Sequence, residues 1–126
     1  MANYLFAVPL APGKTEIWKD YMKEITGARN KDYKKSRKSI SLNTEQVFLQ
    51  QTPHGDMVIV RWETDNPRKI FEYFGKSEDP FDKWFRDKIL IECHNMDFTQ
   101  LPQPNKEIFD YQETESLEYA GVRKNR

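Results

Sequence analysis

Two short stretches of this chain are apolar on both of their alternating faces, and that limits what they can build. Tyr4 to Leu10 reads Tyr-Leu-Phe-Ala-Val-Pro-Leu, and Met57 to Glu63 reads Met-Val-Ile-Val-Arg-Trp-Glu. Short apolar runs rich in aromatic and β-branched residues, bounded by turn residues, are strands. Successive side chains of a strand point to opposite sides of its sheet. Tyr4, Phe6 and Val8 therefore oppose Leu5 and Ala7, and Met57 and Ile59 oppose Val58, Val60 and Trp62. A sheet built from such strands needs cover on both faces.

Helical signals lie between and after these strands. Ile17, Trp18, Tyr21, Met22 and Ile25 share one helix face, and Gly27 can end that helix. Residues 29–38 carry six cations against one acid; a short helix or a loop would fit, and a solvated loop is the simpler account of so charged a run. Glu45 to Thr52 is a strand diluted with glutamines, which suits a wet side or a sheet edge. The turn Pro53-His54-Gly55-Asp56 joins it to the second apolar strand as a hairpin. Asn66-Pro67 and Asp79-Pro80 each pair a capping residue with a proline suited to the first helical position. They predict two helical pieces with a bend at residues 75–78, burying Ile70, Phe71 and Phe74, then Phe81, Trp84, Phe85 and Ile89. His94 to Phe98 is expected as a last strand, and residues 113–126 as a polar tail to a domain spanning 1–112.

The order βαββαβ predicts an α+β, ferredoxin-like domain: a four-stranded antiparallel sheet, the two apolar strands central, with helices on one face. The second face then needs a partner, and the economical one is a second copy of the chain, sheet against sheet. Either face could be that interface: if it is the one holding Val58, Val60 and Trp62, a charge at Val60 should split or unfold the protein, and if the helices cover that side instead, Ile59 lies in the interface. Val8-Pro9-Leu10-Ala11-Pro12-Gly13-Lys14, Pro53-His54-Gly55-Asp56 and Ser77-Glu78-Asp79-Pro80-Phe81-Asp82-Lys83-Trp84-Phe85 resemble the pattern of an uncharacterised family within the dimeric α/β-barrel superfamily, over roughly residues 3 to 111. That superfamily includes antibiotic-biosynthesis-monooxygenase-like proteins and haem-degrading enzymes. The resemblance implies a homodimeric barrel fold; its motifs are turns, caps and core aromatics, and it transfers no catalytic residue.

At 126 residues there is room for one domain, and 20 basic against 20 acidic residues leave no overall charge to steer toward nucleic acid or acidic lipid. The single Cys93 closes no intrachain disulfide, no basic residue precedes the apolar start, and no run reaches the ~20 apolar residues of a spanning helix. A cytoplasmic, soluble protein without membrane attachment is expected. A four-stranded βαββαβ sheet is also the RNA-recognition fold, but Met57, Val58, Ile59 and Val60 stand where its stacking aromatics would be, so no nucleic acid partner is expected.

Four residues are candidates for chemistry. Arg61, a charge inside an apolar strand, could bind an anionic or carbonyl group, or else pair with Glu45 or Glu63. Trp62 and Trp84 could wall a ligand pocket or be plain core. His94 is the one plausible base; as strand neighbours it and Cys93 would point apart and could not form a dyad. Two histidines and one cysteine make no zinc pattern, and phosphate loops and nucleophile elbows are absent, so no cofactor or metal is implied. The expectation is a protein that binds a small organic molecule in an aromatic-lined cavity, with cofactor-independent monooxygenase or isomerase activity if it is catalytic. The alternative is a non-catalytic binding or structural module.

Overall fold

Three strands form one antiparallel sheet in the order β1-β3-β2, where β1 is Asn3–Pro9, β2 Thr44–Thr52 and β3 Gly55–Glu63. The computed structural model describes residues 3–113 and 118–119. Tyr4, Phe6 and Val8 stand opposite Trp62, Val60 and Val58, and Glu45, Val47 and Leu49 stand opposite the same three from the other side. These residues share one face. Leu5, Ala7, Phe48, Met57, Ile59 and Arg61 share the other. The predicted hairpin forms, but its connection is shorter than the expected four-residue turn: Pro53 and His54 alone link the strands, Gly55 and Asp56 already pair with Thr52 and Gln51, and Gly55 holds a φ of 126°, a conformation other residues rarely adopt.

Among the described residues, helices cover only the face with Trp62. α1 (Thr15–Thr26) ends at Gly27 as expected. Residues 29–38 are not a loop: α2 runs Asn30–Ser39. Its charged appearance hides one buried stripe, because Tyr33, Ser36, Arg37 and Ile40 recur at steps of three and four. α3 (Pro67–Lys76) and α4 (Pro80–Trp84) start at the predicted caps. Asn66 accepts the Lys69 N–H and Asp79 accepts the Phe81 N–H. α4 continues into a π-helical stretch, Phe85–Cys93. Phe71 and Phe74 meet Trp62 at ring-centroid distances of 5.0 and 6.1 Å, and Phe6 lies 5.4 Å from Phe71. The core is therefore an aromatic layer between the covered sheet face and the helices.

The expected fourth strand at His94 to Phe98 is not one. His94 closes the π-helical stretch, Asn95 takes a φ of 51°, and the Met96 N–H returns to the Leu90 carbonyl. That left-handed asparagine ends a helix rather than starting a strand. Beyond it, Asp97 accepts the Thr99 N–H and hydroxyl and turns the chain. The chain then passes the free edge of β1, where the Asn105 N–H reaches the Leu5 carbonyl and the Tyr4 hydroxyl donates to Pro102 O. Pro102 and Pro104 have no N–H, so no regular ladder forms there. Among the described residues β1 thus has one strand partner and is not central; β3 is. A two-residue ladder joins β4 (Phe109–Asp110) to β5 (Glu118–Tyr119), and most of the expected polar tail lies outside the described residues.

Candidate functional site

A cavity of about 720 Å³ lies between the covered sheet face and the helices. Phe6, Val8, Val58, Val60 and Trp62 form its sheet side, and Trp18, Met22 and Ile25 of α1 lie among its helix-side walls. Phe85, Ile89, Leu90 and His94 complete it from the π-helical stretch and its end. Hydrogen bonding from i to i+5 widens a helix so that residues four and five apart share a face, which brings these four to one wall. The exposed lining residues Lys23, Thr26 and Val47, with the partly exposed Lys19 and Asn30, mark the opening between α1 and the outer strand β2.

Away from the opening, two titratable side chains of this apolar space matter most for chemistry, Glu45 and His94. Glu45 Oε1 accepts the Tyr33 hydroxyl at 2.6 Å and Arg37 Nε at 2.9 Å, and its Oε2 accepts Trp62 Nε1 at 2.9 Å. Desolvation pushes this carboxyl up, but the Arg37 charge and the three hydrogen bonds outweigh it and hold Glu45 below its ordinary value. Burial and Glu45 in turn raise the Tyr33 phenol. Arg37 is 4% exposed, and its guanidinium lies over the rings of Tyr33, Phe74 and Phe85. A further arm runs from Arg37 Nη1 to Ser36 and from Ser36 to the buried Asp82, which also accepts Tyr73 and Ser77 hydroxyls. Glu45 is thus an ionised, compensated carboxylate.

His94 is the second. Its Nδ1 lies 2.9 Å from Pro9 O; a carbonyl only accepts, so Nδ1 carries the hydrogen and Nε2 keeps a lone pair. Burial lowers its pKa against that hydrogen bond, so the imidazole is neutral near pH 7. Cys93 is fully buried, and desolvation pushes its thiol up to about 11, a poor nucleophile. Cys93 and His94 sit at the end of a helical segment, not on a strand, so burial rather than strand alternation separates their roles.

The four candidates do not converge. Trp62 and His94 both line the cavity. Arg61 is on the opposite sheet face, where it donates to Gln46 and Asn3 and pairs with Glu63 at 2.8 Å, not with Glu45. Trp84 lies outside the cavity lining, with the Arg29 guanidinium 4.0 Å above its ring. Sequence reasoning missed Tyr33, Arg37 and Glu45 as a set. The helical spacing of Tyr33 and Arg37 was the available signal, masked by the surrounding lysines.

Among the described residues, no group of three His, Cys, Asp or Glu side chains is placed to hold a metal ion, and no helix is long and apolar enough to cross a membrane. A scan of the chain against models of protein families finds no match, and a search of curated proteins finds none either.

Proposed function

We propose that this protein binds a small organic molecule in the cavity between sheet and helices, as a homodimeric α/β-barrel protein of ferredoxin-like topology. The observation that carries the reading is the cavity itself. Its volume lies in the range of small-molecule sites, its walls are mostly apolar and aromatic, and it holds few polar groups. An occupant with an apolar body would take these walls out of water, and binding to the folded chain alone would stabilise it by mass action.

His94 Nε2 is the group suited to chemistry: a neutral imidazole, oriented through Nδ1, can take a proton from a carbon next to a carbonyl. Returning that proton to another position is an isomerisation; adding molecular oxygen as co-substrate to the carbanion, with a proton, gives a hydroperoxide whose O–O bond breaks with loss of water to leave a carbonyl, the cofactor-independent monooxygenase route. The non-catalytic reading has its own support, since Glu45 is held ionised by Tyr33, Arg37 and Trp62 and so offers His94 no matched acid.

The dimer rests on the open sheet face. Leu5 is 38% and Phe48 52% exposed there, beside Ala7, Met57 and Ile59, with the Arg61–Glu63 pair at one end. A two-fold partner of the same surface covers such a face.

Binding is tested by screening small organic molecules for thermal stabilisation against the parent, Val47→Trp and Phe48→Trp. Val47 lies at the opening and Phe48 on the other face. Hits lost with Val47→Trp and kept with Phe48→Trp support the cavity, while hits unaffected by either place binding elsewhere. Loss of turnover with His94→Gln at unchanged affinity supports catalysis; unchanged turnover removes His94 from the reaction.

A further inference from the structure

Where the cavity's charges sit selects its ligand. The interior carries no uncompensated charge: Glu45 is balanced by Arg37 at 2.9 Å, and His94 is neutral. An ion of either sign placed deep inside would lose its hydration without gaining a counter-charge. The opening differs. Lys19 and Lys23 stand four residues apart on α1 and so share one helix face, and both line the cavity. Lys19 has one carboxylate neighbour, Glu16 at 3.2 Å, whose side chain is 84% exposed, so the pair is well solvated and weak. Among the described residues, Lys23 has no carboxylate within 4 Å, and the other lining residues at the opening, Thr26, Asn30 and Val47, carry no charge.

Resting on the cavity as a binding site, we infer that its ligand is an amphipathic monoanion. The apolar body enters between the aromatic walls, and its carboxylate stays at the opening beside Lys19 and Lys23. The lysine stems lie along the apolar entrance while their ammonium groups remain in water, where they meet the carboxylate without desolvating it. A cationic head would face both ammonium groups, and the one carboxylate in the lining, Glu45, is already balanced by Arg37.

Calorimetric titration with octanoate, 1-octanol and octylammonium, at low salt and below their aggregation concentrations, tests this with one apolar body and three head groups. Octanoate is expected to bind the full chain about fivefold more tightly than octanol, the scale of solvated charge contacts, with octylammonium weakest. Lys19→Gln with Lys23→Gln should erase that advantage and leave octanol unchanged. Lys34→Gln with Lys38→Gln, at exposed positions of α2, should leave it intact. Equal binding of octanoate and octanol to the parent, an advantage that survives loss of Lys19 and Lys23, or one that the α2 changes also abolish would each overturn the inference while the cavity stands. Failure of all three probes to bind would overturn the cavity reading and the inference with it.

Discussion

The two faces of the sheet meet the same ingredients, a row of apolar side chains and a glutamate paired with an arginine, in opposite surroundings, the covered glutamate reaching Arg37 of α2 and the open one Arg61 of its own strand. On the covered face Val58, Trp62 and Phe6 are 1–3% exposed, and the Arg37–Glu45 pair has side chains 5% and 10% exposed. On the open face Leu5 and Phe48 are 38% and 52% exposed, and the Arg61–Glu63 side chains are 28% and 35% exposed. Chemistry within a strand therefore does not tell which face becomes core. The helices decide, because their aromatic stripes can fill only one side.

The largest contrast comes from placing the same charge on each face. Val58→Glu buries an unpaired carboxylate, costing several kcal/mol of the ~5–15 that hold a domain together. Circular dichroism should show loss of the cooperative transition. Ile59→Glu, one residue along the same strand, should leave the fold intact and split the proposed dimer. Light scattering at micromolar concentration should report about twice the 15.1 kDa of the chain for the parent and a single chain for the variant. A parent that is already monomeric and well folded would refute the barrel, and an unfolded Ile59→Glu would show that the two faces are equally essential within one chain.

Next in size is the covered ion pair. Glu45→Ala leaves Arg37 charged among three rings with no counter-ion, and breaking a buried pair from one side costs about 3–5 kcal/mol. Urea unfolding reads the difference directly; a cost below about 1 kcal/mol would mean that water reaches the guanidinium freely.

The same pair sets a pH dependence. Glu45 and Asp82 both have folded values below the ordinary carboxylate range, each because hydrogen bonds and the Arg37 charge outweigh desolvation. A depressed folded value means that the unfolded chain binds protons first, so this stabilisation is present above the carboxylate range of ~4 and is lost as pH falls through the folded values. Stability should drop on acidification. Glu45→Gln should start lower and fall less steeply, and an unchanged slope would remove Glu45 from the acid response.

What could be read from the sequence divides along the same physical lines. Local signals transferred well: the hairpin at Pro53-His54, the caps Asn66 and Asp79, and the alternation that puts Ile59 and Val60 on different faces need only near neighbours. The misreadings came where distant contacts decide. Lys34, Lys35 and Lys38 made residues 29–38 look like a solvated loop, while Arg37 is buried because Glu45 and the rings of Phe74 and Phe85 are waiting for it. The π-helical stretch has no distinctive composition, so the sequence around His94 reads as a strand although it ends a helical segment beside the cavity. Arg61 and Trp62 are both candidates by residue type, but adjacent strand residues face opposite ways and only Trp62 reaches the cavity.

The smallest expected effect belongs to the open-face pair, and it sharpens the comparison most. Arg61 keeps two further acceptors, Gln46 Oε1 and Asn3 Oδ1, both at 2.9 Å, when Glu63 is removed. In a single chain the pair is solvated, so Glu63→Ala in the Ile59→Glu background should cost less than about 1 kcal/mol in urea unfolding. Within the dimer the opposing sheet would exclude water from the same guanidinium, and losing its carboxylate should cost more, toward the value of the covered pair. Equal small costs in both backgrounds would place Arg61 outside the interface. A larger cost in the dimer would show that assembly turns the open face into a second core, with the buried ion pair that the first already has.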